Sequence, residues 1–268
     1  MITLEEDSTV EIAVATLNTW KGESRYAQRL EWMAAGLRTL DPDIVLLQEV
    51  LVSTDGRLDT GRTLAERLGH DYLFHPARRK FRVVEGETID CHSGLALTSR
   101  YPLNAIEPLR LADDPSDGDR HCQLARVNLP NGPLLVANTH LTHLQDRDDL
   151  RRQQLEEIID RLVQWPGEDP VIIGGDFNAT DTDASLQWLS NQSRVPLVSA
   201  WQEANDGAGI NTMNYGQRPA CIDHLFRSAS KDSSMGWRSV CVALVAESED
   251  DPIASDHLAV HATLDTGR

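Results

Sequence analysis

The sequence predicts an α+β protein in which strands packed in two sheets carry external helices. Three observations lead there. Strand-like apolar runs outnumber helical ones, the helical segments interrupt them irregularly, and no low-complexity stretch, repeat or Gly/Ser linker divides the 268 residues. Residues 1–268 are therefore expected to form a single domain. Hydrophobic residues at 40% and charged residues at 25% are a globular composition.

The elements follow in order. Val10 to Leu17 reads as a strand that delivers Asn18 to its end. From Arg25 to Leu40, Leu30, Met33, Ala34, Leu37 and Leu40 recur at helical spacing, and Asp41-Pro42 stops the pattern. Ile44 to Leu47 is a buried-strand run that delivers Gln48 and Glu49. Leu51 to Arg62 reads as a polar loop, Thr63 to Leu68 as a short helix closed by Gly69, and Tyr72 to His75 as a short strand. Arg78 to Cys91 has mixed charge without period, and a loop lining a substrate cleft is expected.

Leu95 to Thr98, Ala105 to Leu111, Cys122 to Leu129 and Leu134 to Thr139 predict a meander of antiparallel strands. Asp148 to Trp165 is the second clear helix, with Leu150, Leu155, Ile158, Ile159 and Leu162 on one face. Val171 to Ile173 leads into Gly174 and Gly175, a short helix is expected over Asp183 to Leu189, and strands are expected at Ile222 to Phe226, Val240 to Val245 and Leu258 to Leu264.

A formal net charge of −17 argues against a broad basic surface, although a cleft needs only local positive charge. Cys91, Cys122, Cys221 and Cys241 are widely spaced, which suits idle thiols rather than a disulfide framework. Met1 to Thr9 holds Glu5, Glu6 and Asp7 and has no basic start followed by an apolar core, so no signal peptide is expected. No apolar run approaches the roughly 20 residues that cross a bilayer. A soluble, cytoplasmic protein is the expectation.

Several strands end in Asn, Glu, His or Asp, and strand ends that form one cleft are where a rigid scaffold carries chemistry. In Gly174-Gly175-Asp176-Phe177-Asn178 the glycines permit close approach, and a carboxylate and an amide follow two residues apart. An Asx turn is the alternative reading of this segment. Asp223 sits in the apolar run Ile222 to Phe226 and needs a partner; His257, in Ser255-Asp256-His257, is the candidate. His224 should face the other side of the sheet. His140 ends its strand, and His143 reads as a bystander in a solvated turn. Carboxylates and amides without a Cys/His cluster favour magnesium or manganese over zinc.

In order, Thr16-Leu17-Asn18-Thr19-Trp20, Leu47-Gln48-Glu49-Val50, Ser93-Gly94-Leu95-Ala96, Asn138-Thr139-His140-Leu141, Gly175-Asp176-Phe177-Asn178, Ile222-Asp223 and Ser255-Asp256-His257 resemble the endonuclease/exonuclease/phosphatase superfamily. The resemblance implies a four-layer α/β/β/α sandwich with two central mixed sheets, and metal-assisted hydrolysis of a phosphoester. It implies Mg2+ or Mn2+ held by Glu49, with Asn18 and Asp256 nearby. Asp176 would orient or deprotonate water, Asn178 would hold a phosphate oxygen, the Asp223–His257 pair would stabilise charge or move a proton, and His140 would face the phosphate or leaving group.

The superfamily often carries Arg or Lys just before the Ile-Asp pair, where Ala220-Cys221 stands here. Arg120 is a candidate substrate contact in compensation, or else pairs within the acidic stretch Asp113 to Asp119. Glu85, Glu87 and Asp90 are candidate braces for His140. The expected activity is that of a phosphodiesterase on nucleic acid, a phospholipid head group or a small phosphodiester. The alternatives are a phosphomonoesterase on a small soluble or inositol phosphate and, from another class, an inactive binding module of the same fold. A monomer without an obligate protein partner is expected.

Overall fold

The computed structural model describes residues 10–207, 209–213, 220–229, 235–244 and 253–267. Met1 to Thr9, and Val245 at the end of one expected strand, lie outside the described residues.

Strand β1 (Glu11–Asn18) pairs in parallel with β2 (Ile44–Ser53) through the connecting helix α1 (Tyr26–Leu40), as a parallel neighbour requires a crossover. Asp41 takes a left-handed conformation at the end of α1, just before Pro42. Four more strands complete the first sheet: β3 (Asp71–Val84), β4 (Glu87–Ser99), β11 (Gly236–Ala243) and β12 (Ala259–Asp265). Its order is β11-β12-β1-β2-β4-β3. The second sheet contains β5 (Leu103–Arg110), β6 (His121–Leu129), β7 (Gly132–His140), β8 (Val171–Asp176), β9 (Leu197–Ser199) and β10 (Asp223–Ser228), in the order β5-β6-β7-β8-β10-β9.

The inner faces of the sheets share one core, in which Ile12, Val14, Leu46 and Leu97 meet Val127, Val136, Ile172 and Leu225. Outside the first sheet, α1 and α2 (Thr60–Leu68) cover Ala15, Leu17, Val45 and Leu47. Outside the second, α3 (Asp148–Val163) and α4 (Ala184–Asn191) cover Leu135, Ala137 and Ile173. The result is the expected four-layer α/β/β/α sandwich. A fifth short helix, α5 (Ala200–Ala204), follows β9.

Three local expectations are corrected. Arg78 to Cys91 is not a loop but the distal half of an antiparallel hairpin, β3 paired to β4. The two strands turn through Glu85 and Gly86, both at positive φ, the geometry that suits a two-residue hairpin turn. The stretch from Leu51 to Arg62 is likewise not all loop: β2 continues to Ser53, and α2 begins at Thr60, capped by Asp59, whose side chain accepts from the Arg62 amide. The four-strand meander is divided, since β5, β6 and β7 form one whereas β4 belongs to the opposite sheet.

Between the sheets, below the strand ends, lies a buried amide network. Gln48 donates to Asn138 Oδ1 at 2.8 Å and to the Thr16 hydroxyl, while Asn138 donates to the carbonyls of Leu47 and Ala96 and to Gln123. A satisfied network of this kind fixes how one sheet sits on the other, which an apolar contact does less selectively.

Candidate active site

The parallel pairing of β7 with β8 sets His140 opposite Asp176, and the antiparallel pairing of β8 with β10 sets Asp223 opposite Asp176. Three chemistry-bearing residues thus stand in one row across three strands. Gly175 makes the row possible. Its φ of 143° is unfavourable for an L side chain, and a Cβ there would lie 1.9 Å from the Thr139 carbonyl oxygen.

Asp176 is the hub. One oxygen accepts from the Asn178 amide at 2.9 Å, so the Asx turn does form. The other accepts from Asn18 Nδ2 at 3.0 Å and lies 3.4 Å from His140 Nε2 and 3.7 Å from His257 Nε2. Burial raises the Asp176 carboxyl well above the usual carboxylate range, opposed by the His257 charge and reinforced by that of Asp223. Asn178, at φ 49°, donates to the Leu141 carbonyl and keeps a second amide hydrogen for another acceptor.

His257 Nδ1 donates to Asp223 Oδ2 at 2.9 Å. Burial alone would lower this imidazole, yet Asp223 and then Asp176 outweigh it and raise the group, so it is cationic at neutral pH. The second Asp223 oxygen is buried without a partner among the described residues. His140 has the opposite balance. Burial, aided by the cations Arg120 and Lys21, pushes it well below its ordinary value and keeps it neutral.

Glu49 faces the same cleft from the other sheet, and Asp256 from the segment just before β12. Glu49 occupies a bulge in the β2–β4 pairing, at φ 54°, a strained setting for a non-glycine residue. Its carboxylate pairs with Lys21 Nζ at 2.5 Å. Burial raises Asp256, with the Glu49 charge adding to the effect and His257 opposing it. Two mutually repelling carboxylates in a polar cleft are a donor set that fits a hard divalent cation. Asn18 Oδ1 already accepts from the Trp20 amide, so a ligand role for Asn18 would use its remaining lone pair.

Ligand atoms of Asp176, Asp223 and His257 also come within 4.8 Å of one another. His257 Nδ1 carries the proton it donates to Asp223 and so has no lone pair for a metal, which makes this trio a proton-holding group in preference to a metal centre.

Arg120 pairs within the acidic stretch, one of its two expected roles. It lines the cleft and is buried against Asp117 of the acidic stretch, with Nε at 3.0 Å and a terminal nitrogen at 2.6 Å. Burial favours protonation of Asp117, but hydrogen bonds from Arg120 and Thr142 hold it down at about 2. His143, expected to be a bystander, caps this pair at the cleft rim, 2.9 Å from Asp117. The expected braces of His140 engage elsewhere: Glu85 accepts from the Ala27 amide, Glu87 pairs with Arg57 and Asp90 with Arg79. His224 faces away, bonded to the Ala179 carbonyl.

Residues 15–257 match the model of the Endonuclease/Exonuclease/phosphatase family. The chain belongs to that family. Its members are hydrolytic phosphoesterases, generally dependent on divalent metal. Among relatives, the uncharacterised protein YbhP of Escherichia coli is 28% identical over 180 residues, covering 62% of this chain and 66% of YbhP. The chain thus spans just under two thirds of that relative's length. Tyrosyl-DNA phosphodiesterase 2 of Xenopus laevis is 24% identical over 196 residues, 70% of this chain and 46% of that protein. A crystal structure of an endonuclease/exonuclease/phosphatase from Beutenbergia cavernae shares the fold, with a TM-score of 0.73 at 22% identity over 95% of this chain and 71% of that one.

One residue that positions the site escapes sequence reasoning in this family member. Arg29, inside α1 and 1% exposed, donates to the carbonyls of Thr19, Trp20, Lys21, Glu23 and Ala254. It ties the loop after Asn18 to the segment leading into Asp256. The only available signal is an arginine one residue before Leu30 in the apolar stripe. Arg29→Ala leaves several carbonyls unsatisfied and is expected to cost about 3 kcal/mol or more in urea unfolding. Arg29→Lys should recover less than half of that, because an ammonium cannot span the fork; full recovery would show that charge alone matters.

Proposed function

We propose that this chain is a Mg2+- or Mn2+-dependent phosphodiesterase acting as a monomer, with residues 1–268 as one domain built on the shared core. The observation that carries the reading is the contact group His140–Asp176–Asp223–His257, set beside two carboxylates in a cleft of about 400 Å³. That group supplies a buried base, a neutral imidazole and a cationic imidazole around one point, which is what displacement at phosphorus requires.

In this reading Glu49 and Asp256 hold the ion, with Asn18 beside them. The ion, when bound, supplies charge neutralisation at the phosphoryl oxygens. Asp176, its carboxyl oriented by Asn18 and the Asn178 amide, accepts the proton of the attacking water. Asn178 donates its free amide hydrogen to a non-bridging oxygen. His257, held protonated by Asp223, donates from Nε2 toward the charge that develops on the phosphoryl group. Neutral His140 faces the leaving oxygen, which supports a diester substrate. Substrate type is compared with a chromogenic phosphodiester, a chromogenic monoester, DNA, RNA, sphingomyelin and inositol phosphates, each with magnesium, manganese or chelator. The expected result is metal-dependent turnover of a diester that chelator abolishes. Turnover confined to monoesters would replace the diesterase reading, and no turnover of any substrate would favour a binding module.

A further inference from the structure

One wall of the cleft carries a row of cations. Arg78, Lys80 and Arg82 alternate along β3 and line the cleft, facing Lys21 and Arg120. The other four cations carry carboxylate partners, but Lys80 forms no ion pair among the described residues. The pairs of Arg78 with Asp119 and of Arg82 with Glu23 are long, at 3.5 Å, and partly exposed, so they are weak and readily exchanged. Arg82 Nε is buried without a partner among the described residues. Partial burial first, and then the neighbouring cations Arg82, Arg78, Lys21 and Arg120, lower the Lys80 ammonium, as fits a lysine set among like charges without a carboxylate of its own.

We propose that the β3 wall binds backbone phosphates flanking the scissile one, so that the substrate is a single-stranded nucleic acid; this rests on the phosphodiesterase reading above. A strand advances about 3.3 Å per residue, so Arg78 to Arg82 spans about 13 Å, enough for more than one phosphate. A lipid head group with one phosphate would leave most of this row unused. A duplex would need a broad basic footprint, which a net charge of −17 opposes. Trp20, His75 and His121 line the same cleft, with His75 and His121 packed edge to face and Arg29 over the Trp20 ring, so the wall's contribution is to the backbone phosphates.

The same strand provides the control. Arg79 lies on its opposite face, with Phe81 and Val83, and pairs with Asp90. Binding of a short labelled oligothymidylate is measured by fluorescence anisotropy in chelator over about 50–200 mM salt. For the double variant Lys80→Ala/Arg82→Ala, Kd is expected to rise about tenfold or more, and the slope of log Kd against log salt to fall by about 1.4, at roughly 0.7 per lost cation. Arg79→Ala should stay within about twofold of wild type. Equal losses in both variants, or none in the double variant, would overturn the proposal. So would capture by phosphatidylserine vesicles that the double variant Lys80→Ala/Arg82→Ala abolishes, since the wall would then serve a membrane surface. Hydrolysis of a chromogenic diester by the wild type reads the underlying activity separately. Turnover of that diester with no effect at β3 removes only the nucleic-acid assignment, whereas absence of turnover removes the reading on which it rests.

Discussion

Asp176→Asn is expected to lower kcat/KM for diester hydrolysis by about 10²- to 10⁴-fold, the range spanned by a positioned general base. The substitution keeps the side chain's size and removes a charge that is buried beside Asp223. Folding should therefore survive, because the lost contacts with Asn18 and the Asn178 amide are offset by relief of carboxylate repulsion. Rates on a chromogenic diester with Mn2+, read beside thermal unfolding, separate the two effects. A variant that folds normally and hydrolyses within threefold of wild type would exclude Asp176 as the base.

The second large effect is expected from Asp223→Asn. In the wild type Asp223 is the leading charge that raises His257, and it also adds to the raising of Asp176. With the charge gone, burial dominates at His257 and its value falls, so the imidazolium is lost at lower pH and the alkaline limb of the rate profile moves toward acid. At Asp176 the loss of the Asp223 charge and the weaker His257 charge act in opposite senses, so the alkaline limb is the one that moves, with a maximum reduced by about 10²-fold or more. A profile whose limbs stay in place while the maximum drops would mean that Asp223 only holds the ring in position.

The long-period features were the legible ones. The apolar stripes of α1 and α3, and the apolar runs ending in Asn18, Glu49, His140 and Asp176, announce two helices and a cleft of strand ends, because burial imposes its period on the sequence. The β3–β4 hairpin was not legible for the same reason inverted. As an edge strand with Phe81 and Val83 exposed on one face and cations on the other, its distal half has no apolar alternation, and Glu85-Gly86 is a weaker turn signal than Asn-Gly. Contacts between distant segments were invisible too. Nothing local says that Gln48 reaches Asn138, or that Arg29 gathers carbonyls from two loops. The bulge that re-aims Glu49 shifts the pairing partner without altering the apolar pattern before it.

The bonds that join Asn18 to Asp176 and Gln48 to Asn138 cross from one sheet to the other, and that of His257 reaches Asp223 of the second sheet from the segment just before β12. Neither half of the molecule owns the reaction: one contributes the carboxylates suited to an ion, the other the base and its neighbouring imidazole. Catalytic competence is thus a readout of how the halves are seated. A displacement of a single ångström along their interface, too small to expose the core, would separate the partners and silence the enzyme while every strand stayed intact.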